Sequence, residues 1–325
     1  MKPLRLTVLG SGAVGLAFAA SYAKAGQQVT LLARGAAVAQ LRQQGITVNG
    51  VCGEHHIDPA ALKVSDAEQP AAEDIACDVL VVATKAYQVG PVLLRLAQQA
   101  GEGLAPKAVL LLQNGWGSAD EARAALPAGV PVFSSIMMIG IERRSPVHVN
   151  VNVQASPVRV GSLFAAPPEG MQDAVARGQA GFLPISFEPA IERAITQMSY
   201  GELVSNAHTR QLITQVADET VRVIAAERSV ALAPDGATYV GKALTPLVLP
   251  KAAVRRSSML QDLAAGRRTE IDYLNGAVVR MGRTHGLATH VNEVVASLVR
   301  AREGVPAAPP KPLPSGVLSS EHCQP

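Results

Sequence analysis

Three glycines, Gly10, Gly12 and Gly15, stand between a short apolar run and an alanine-rich segment, and they constrain this chain more than any other feature. Residues 4–9 (LRLTVL) read as a buried strand, and residues 16–25 have the composition of a helix. Gly26 sits where a helix C-terminal cap belongs, and residues 29–33 read as a second strand. Together they make a strand-turn-helix-strand unit of about 30 residues, the size of a right-handed crossover. Each glycine has a task in such a unit. The first permits the tight turn, the second lets a pyrophosphate approach the backbone, and the third allows close helix–strand packing. The free N–H groups and positive dipole end of a helix N-terminus suit phosphate. Gly10, Ser11, Gly12, Ala13, Val14 and Gly15 are therefore expected to hold a dinucleotide.

The end of the second strand bears on which dinucleotide. A carboxylate there would accept hydrogen bonds from the adenosine ribose and favour NAD. This chain reads Leu32-Ala33-Arg34, with no carboxylate until much later. A guanidinium pairs with a 2′-phosphate in a bidentate fashion, so Arg34 favours NADPH (NADP) over NADH. The bland alternative is a solvated arginine at a strand end.

Strands and helices continue to alternate. Residues 78–83 read as a buried strand, 89–99 as a helix and 107–112 as another strand. Ser118-Ala119-Asp120-Glu121 has the form of a capping box opening the next helix. Further strands are expected over 130–135, 147–153 and 158–161, with an edge strand over 184–189. After about residue 190 strands disappear, and 218–229, 252–265, 270–286 and 292–302 read as helices. The expected fold is α/β: an N-terminal Rossmann-type doubly wound sheet over 1–190, with an all-helical C-terminal domain over 191–303. Residues 304–325 carry 6 of the 22 prolines and no aromatic residue, and are expected to form a disordered tail.

Composition excludes several classes. A hydrophobic content of 48% supplies ample buried core, and a net charge of +3 without a basic block gives no case for nucleic acid. No apolar run approaches the length of a membrane span. The N-terminal apolar stretch crudely resembles a secretory signal, but the glycines interrupt it. Cys52, Cys77 and Cys323 lie far apart without a C-x-x-C pair, which argues against a disulfide scaffold or zinc ribbon. A cytoplasmic protein without a metal is expected.

Two stretches fall at carboxyl ends of expected strands, where open α/β sheets bind ligands. They are Ala83-Thr84-Lys85-Ala86 and Leu112-Gln113-Asn114-Gly115. Lys85 and Asn114 there suit a nicotinamide ribose or a substrate carbonyl, and each is equally well a turn residue. In the helical half, periodicity alone makes Thr269 a helix cap, Glu270 a first-turn acid and Asp262 a surface residue.

Taken in order, these blocks resemble the ketopantoate reductase (2-dehydropantoate 2-reductase) family. The blocks are Gly10–Gly15, Thr84-Lys85-Ala86, Gln113-Asn114-Gly115-Trp116-Gly117, Ser257–Asp262 (SSMLQD), and Thr269–Gly276 followed by His285-Gly286. The match covers roughly residues 4–303. The resemblance implies NADPH and a small 2-keto acid, ketopantoate first, in an interdomain cleft; a monomer or homodimer is expected. It further implies that Gly10–Gly15 and Arg34 hold the pyrophosphate and 2′-phosphate. Lys85 and Asn114 would lie near the nicotinamide ribose and substrate, Ser258 would meet the substrate carboxylate, and Glu270 would contact cofactor or substrate.

One departure from the family pattern bears on catalysis. The family places an essential Lys, with Asn four and eight positions on, on a helix preceding the segment that here reads Tyr200-Gly201-Glu202-Leu203. About four helical turns are missing upstream of that segment, and no Lys lies between Gly178 and Gly241. Other registers bring Met198 or Glu202 to the Lys position and Asn206 to an Asn position, without restoring the amine. Hydride delivery creates an alkoxide that needs a cation or acid beside it. Lys85 is the first substitute, ahead of Tyr200 and His208. The alternatives are an impaired NADP-binding homologue and a reductase of another 2-keto acid.

Overall fold

The computed structural model describes residues 3–100, 106–154, 157–162, 185–186, 206–229, 232–245 and 258–303. The glycine unit folds as read: β1 (Arg5–Leu9), α1 (Ala13–Lys24) and β2 (Gln28–Ala33). Gly26, at φ +76°, ends α1, and the N–H of Gln27 reaches back to the carbonyl of Tyr22 at 3.1 Å. Then come α2 (Ala36–Gln44), β3 (Ile46–Gly50), β4 (His55–Ile57), β5 (Leu62–Asp66), α3 (Ala72–Ile75) and β6 (Val79–Val82). α4 (Val89–Ala100), β7 (Val109–Leu111), α5 (Ser118–Ala125) and β8 (Val132–Ile136) follow. β9 (Ile139–Ser145), β10 (His148–Gln154), β11 (Val158–Ser162) and β12 (Ile185–Ser186) complete the strands.

Eight strands form one sheet in the order β12-β11-β8-β7-β6-β1-β2-β5. All neighbours are parallel except β11 against β8. Strand order reverses between β1 and β6, and an open α/β sheet forms its ligand crevice at such a switch. The four residues of β6 are all buried, because helices cover both faces of the sheet.

The expected strand over 147–153 belongs to a second sheet that the sequence reading did not separate, ordered β4-β3-β10-β9. This small sheet lies on the outer side of α1. Val48, Ile57, Val149 and Val151 join Leu16, Phe18 and Tyr22 in one core cluster. Sandwiched between two sheets, α1 buries every residue from Gly15 to Tyr22. Its alanine content follows, since a helix buried all round has no polar face.

Three helix expectations need correction. α5 has Gly117 as its N-cap without a side-chain hydrogen bond, so Ser118–Glu121 is no capping box. Glu121 is drawn away to Tyr273, as described below. The helix expected over 218–229 begins earlier, as α6 (Ala207–Arg228), where Asn206 accepts from the N–H groups of His208 and Thr209. The helix expected over 270–286 is a 3₁₀ turn (Ile271–Tyr273) followed by α9 (Asn275–Thr284), because the Tyr273 carbonyl accepts from Trp116 in another loop.

Between these lie α7 (Gly236–Tyr239), a π-helical turn (Val240–Leu244) and α8 (Ser258–Ala264), and α10 (His290–Arg302) closes the described chain. Met259, Ile271, Leu274, Ala296 and Val299 form the helical core cluster. A buried carboxylate organises its polar part. Glu219 of α6 accepts from the N–H groups of Val291 and Asn292, both at 2.9 Å, and so caps α10 from a neighbouring helix. The boundary near 190, the segment holding Met198, Tyr200 and Glu202, and the tail over 304–325 lie outside the described residues.

Candidate active site

Gly10 and Gly15 stand where turn and packing leave no room for a side chain, and Gly12 stands open. Gly10 has φ +112° and lies against the end of β6, where a Cβ would meet the Ala83 carbonyl oxygen at 3.1 Å. A Cβ on Gly15 would fall 1.8 Å from the Gly10 carbonyl oxygen, so only glycine allows this helix–turn approach. A Cβ on Gly12 would meet nothing within 4 Å. Gly12 is also the N-cap of α1, and no side chain caps that end. The turn therefore presents open space and unclaimed helical N–H groups together, which fits a pyrophosphate. Ser11 is partly exposed beside it, while Ala13 and Val14 pack onto the core.

Arg34 follows β2, is exposed, and makes no ion pair or hydrogen bond among the described residues. Asp66 pairs with Ala33 across the β2–β5 ladder, an acidic neighbour that sequence distance had hidden.

The strand-end loops after β6 and β7 meet the helical half. Glu270 accepts from the main-chain N–H of Ala86 at 2.8 Å, and its other oxygen lies 3.5 Å from Lys85 Nζ. Lys85 also pairs with Asp262 of α8. Asp262 is 3% exposed and takes Arg267 Nε on its second oxygen at 2.9 Å, so the expectation of a surface residue is overturned. A buried carboxylate must be paired, and two cations supply that pairing from opposite sides. Periodicity could not show this, because one of the partners lies 177 residues away. Thr269 donates its hydroxyl to Glu303 at 2.5 Å, and its oxygen accepts from the Ile271 N–H at 3.3 Å.

Burial pulls the Lys85 ammonium down, but the Glu270 charge and the Asp262 hydrogen bond outweigh it, and the net shift is upward. Lys85 is therefore held as a cation between two carboxylates. Lys85, Arg267, Asp262 and Glu270 together carry no net charge.

Asn114 is exposed in the loop after β7. The neighbouring Gln113 donates to the carbonyls of Val82 and Thr84, at 2.9 and 2.8 Å, and binds the two strand-end loops together. The Thr84 hydroxyl and Gln113 Oε1 are buried with no hydrogen-bond partner among the described residues. Ser258 opens α8, exposed, one turn before Asp262 and so on the same helix face, about 6 Å along the axis. His208 is exposed near the start of α6. Lys85 and Glu270 are thus joined directly, Asn114 lies in the adjoining loop, and among the described residues no hydrogen bond or ion pair ties Ser258 or Arg34 to them. Asp262, Arg267 and Gln113 are the additions sequence reasoning missed as site residues, although Asp262 and Gln113 stood inside the blocks it singled out. Among the described residues no three His, Cys, Asp or Glu side chains could hold a metal, and no helix is long and apolar enough to cross a membrane.

The family model described as ketopantoate reductase PanE/ApbA matches residues 6–163, and its C-terminal counterpart matches residues 192–303. A 2-dehydropantoate 2-reductase of Archaeoglobus fulgidus is 31% identical, over 93% of this chain and 99% of that protein. One from Aquifex aeolicus is 27% identical, over 92% and 97%. The crystal structure of a PanE/ApbA family ketopantoate reductase from Ralstonia eutropha superposes with a TM-score of 0.76 at 25% identity, covering 92% of this chain and 98% of that one. The ternary structure of D-mandelate dehydrogenase with NADH and anilino(oxo)acetate shares the fold, with a TM-score of 0.78 at 22% identity over 92% and 98%.

Proposed function

The chain belongs to the ketopantoate reductase PanE/ApbA family, an oxidoreductase family, and from that premise we propose that it reduces a small 2-keto acid with NADPH, ketopantoate first among its substrates. The observation that carries this reading is the meeting of Glu270 with Lys85 and Ala86 at the strand switch, beside an uncapped glycine turn. Residues 1–190 serve as the NADP-binding domain and 191–303 as the helical substrate domain.

Bound NADPH supplies the hydride. The turn from Gly10 to Gly15 gives its N–H groups to the pyrophosphate, and Arg34 pairs with the 2′-phosphate. Lys85 and Asn114 line the nicotinamide ribose and keto group, Ser258 meets the substrate carboxylate, and Glu270 orients Lys85. On this reading the cationic Lys85 supplies the charge that an alkoxide would need beside it. The test is NADPH oxidation across a panel of 2-keto acids, with NADH alongside. Turnover fastest with ketopantoate and NADPH supports the reading. Faster turnover of another 2-keto acid moves the substrate, and none with any acid removes the activity.

A second reading, an NADP-binding homologue of low activity, is favoured by the engagement of Lys85. An amine held by Asp262 and Glu270 surrenders its proton reluctantly. A missing general acid costs about 10²–10⁴-fold in rate while leaving binding intact. Inserting the family's Lys-bearing helix before Ser199 would then raise the rate without changing NADPH affinity.

A further inference from the structure

Tyr273 is gripped at both ends by the α/β half. Its carbonyl accepts from the N–H of Trp116 at 2.6 Å, in the loop that also carries Asn114. Its phenol donates to Glu121 of α5 at 2.5 Å. Glu121 turns its other oxygen toward the N–H of Gly90 in the first turn of α4, at 3.4 Å. The approach is close: Gly115 has φ +93°, and a Cβ there would fall 2.3 Å from the Tyr273 carbonyl oxygen. Three residues before Tyr273 stands Glu270, docked on Ala86. The segment from 270 to 273 therefore spans the β6 loop and the β7 loop like a strut, fixed at each end.

We propose that Tyr273 and Glu121 are positioning residues, which set the Asn114 loop relative to Lys85 through this strut. The proposal rests on the reductase reading for its catalytic consequence, and on the contacts alone for its structural one. The hydrogen bonds of the two side chains are with each other and with the first turn of α4, so the role assigned to them is alignment. Misplacement by about 1 Å at a reacting centre costs up to 10²-fold. The phenol suits a permanent donor, since burial and the neighbouring carboxylate push its ionisation far up.

The chain has one tryptophan, Trp116, which reports on the strut without any turnover. Tyr273→Phe removes one hydrogen bond and keeps the ring. It is expected to raise acrylamide quenching of Trp116, and to lower kcat by about ten- to a hundredfold. Glu121→Ala should match it, Glu121→Gln should restore most of the rate because an acceptor oxygen remains, and the double variant should be no slower than either single one. Unchanged Trp116 quenching in both Tyr273→Phe and Glu121→Ala overturns the proposal. So does a rate loss that adds fully in the double variant. If the unaltered chain reduces no 2-keto acid, the reductase reading fails, and Trp116 quenching still decides the strut.

Discussion

Glu270, in the helical half, accepts a hydrogen bond at 2.8 Å from the main-chain N–H of Ala86, one residue past Lys85. Only proline would remove the main-chain donor, so the carboxylate is the side chain through which this joint is tested. Glu270→Gln keeps an acceptor for Ala86 while removing a charge from beside Lys85, whereas Glu270→Ala removes both. The Gln variant is expected to retain the fold with reduced turnover. The Ala variant should also lose about 1–3 kcal/mol of stability by stranding the N–H. Denaturant melts beside steady-state rates distinguish the two.

Gly12 and Gly15 make opposite forecasts. Gly15→Ala drives a methyl to 1.8 Å from a carbonyl oxygen, so the turn must move, at a cost of about 3 kcal/mol or more. Gly12→Ala meets nothing within 4 Å among the described residues and should melt like the parent; on the proposed reading it binds NADPH more weakly, since a methyl there would stand in the approach of the pyrophosphate. Thermal melts and NADPH titration read both. Equal affinity in Gly12→Ala would remove the turn from the binding site.

Arg34→Asp should narrow or reverse the preference for NADPH, because a carboxylate repels a 2′-phosphate and accepts from a 2′-hydroxyl. Fluorescence titration with both dinucleotides measures it. Equal affinities in the parent chain would show that Arg34 has no such role.

Glu219 holds α10 in place from α6, and Asn292, fully buried, adds a side-chain bond to it at 2.7 Å. Glu219→Ala strands two helical N–H groups and is expected to cost about 3 kcal/mol, with Glu219→Gln costing less. Urea melts check the order.

Burial raises the Asp272 carboxyl, but the hydrogen bonds and charges of Arg300 and Arg268 outweigh this and leave it below the ordinary carboxylate range. A depressed folded-state value stabilises above the unfolded value of about 3.9, and that contribution is lost as pH falls through the folded value. Tm should therefore drop below about pH 4, and Asp272→Asn should flatten that acid limb while lowering Tm at neutral pH. An identical acid limb in the variant would remove Asp272 from the account.

Local rules made part of this protein readable in one dimension. The glycine turn, α1 and β2 follow from residues within a few positions of one another, where φ, capping and strand burial are set by neighbours. The buried run of β6 and the cap at Gly26 follow for the same reason. The order of the blocks around Lys85, Asn114 and Glu270 was enough to suggest the family.

What needed the tertiary structure was each partnership across distance. Asp262 has surface-like spacing, and only the approach of Lys85 and Arg267 explains its burial. Ser118–Glu121 has the letters of a capping box, yet a phenol 152 residues on claims the Glu121 carboxylate. The second sheet arises because β3 lies parallel to β10, a pairing that no local pattern encodes. Short-range sequence set the backbone states, the apolar runs and the glycine turn, all local properties of covalent geometry and solvation. Only the packed chain decided where the charges found partners, because Coulomb and hydrogen-bond energies depend on separation in space, and folding sets that separation.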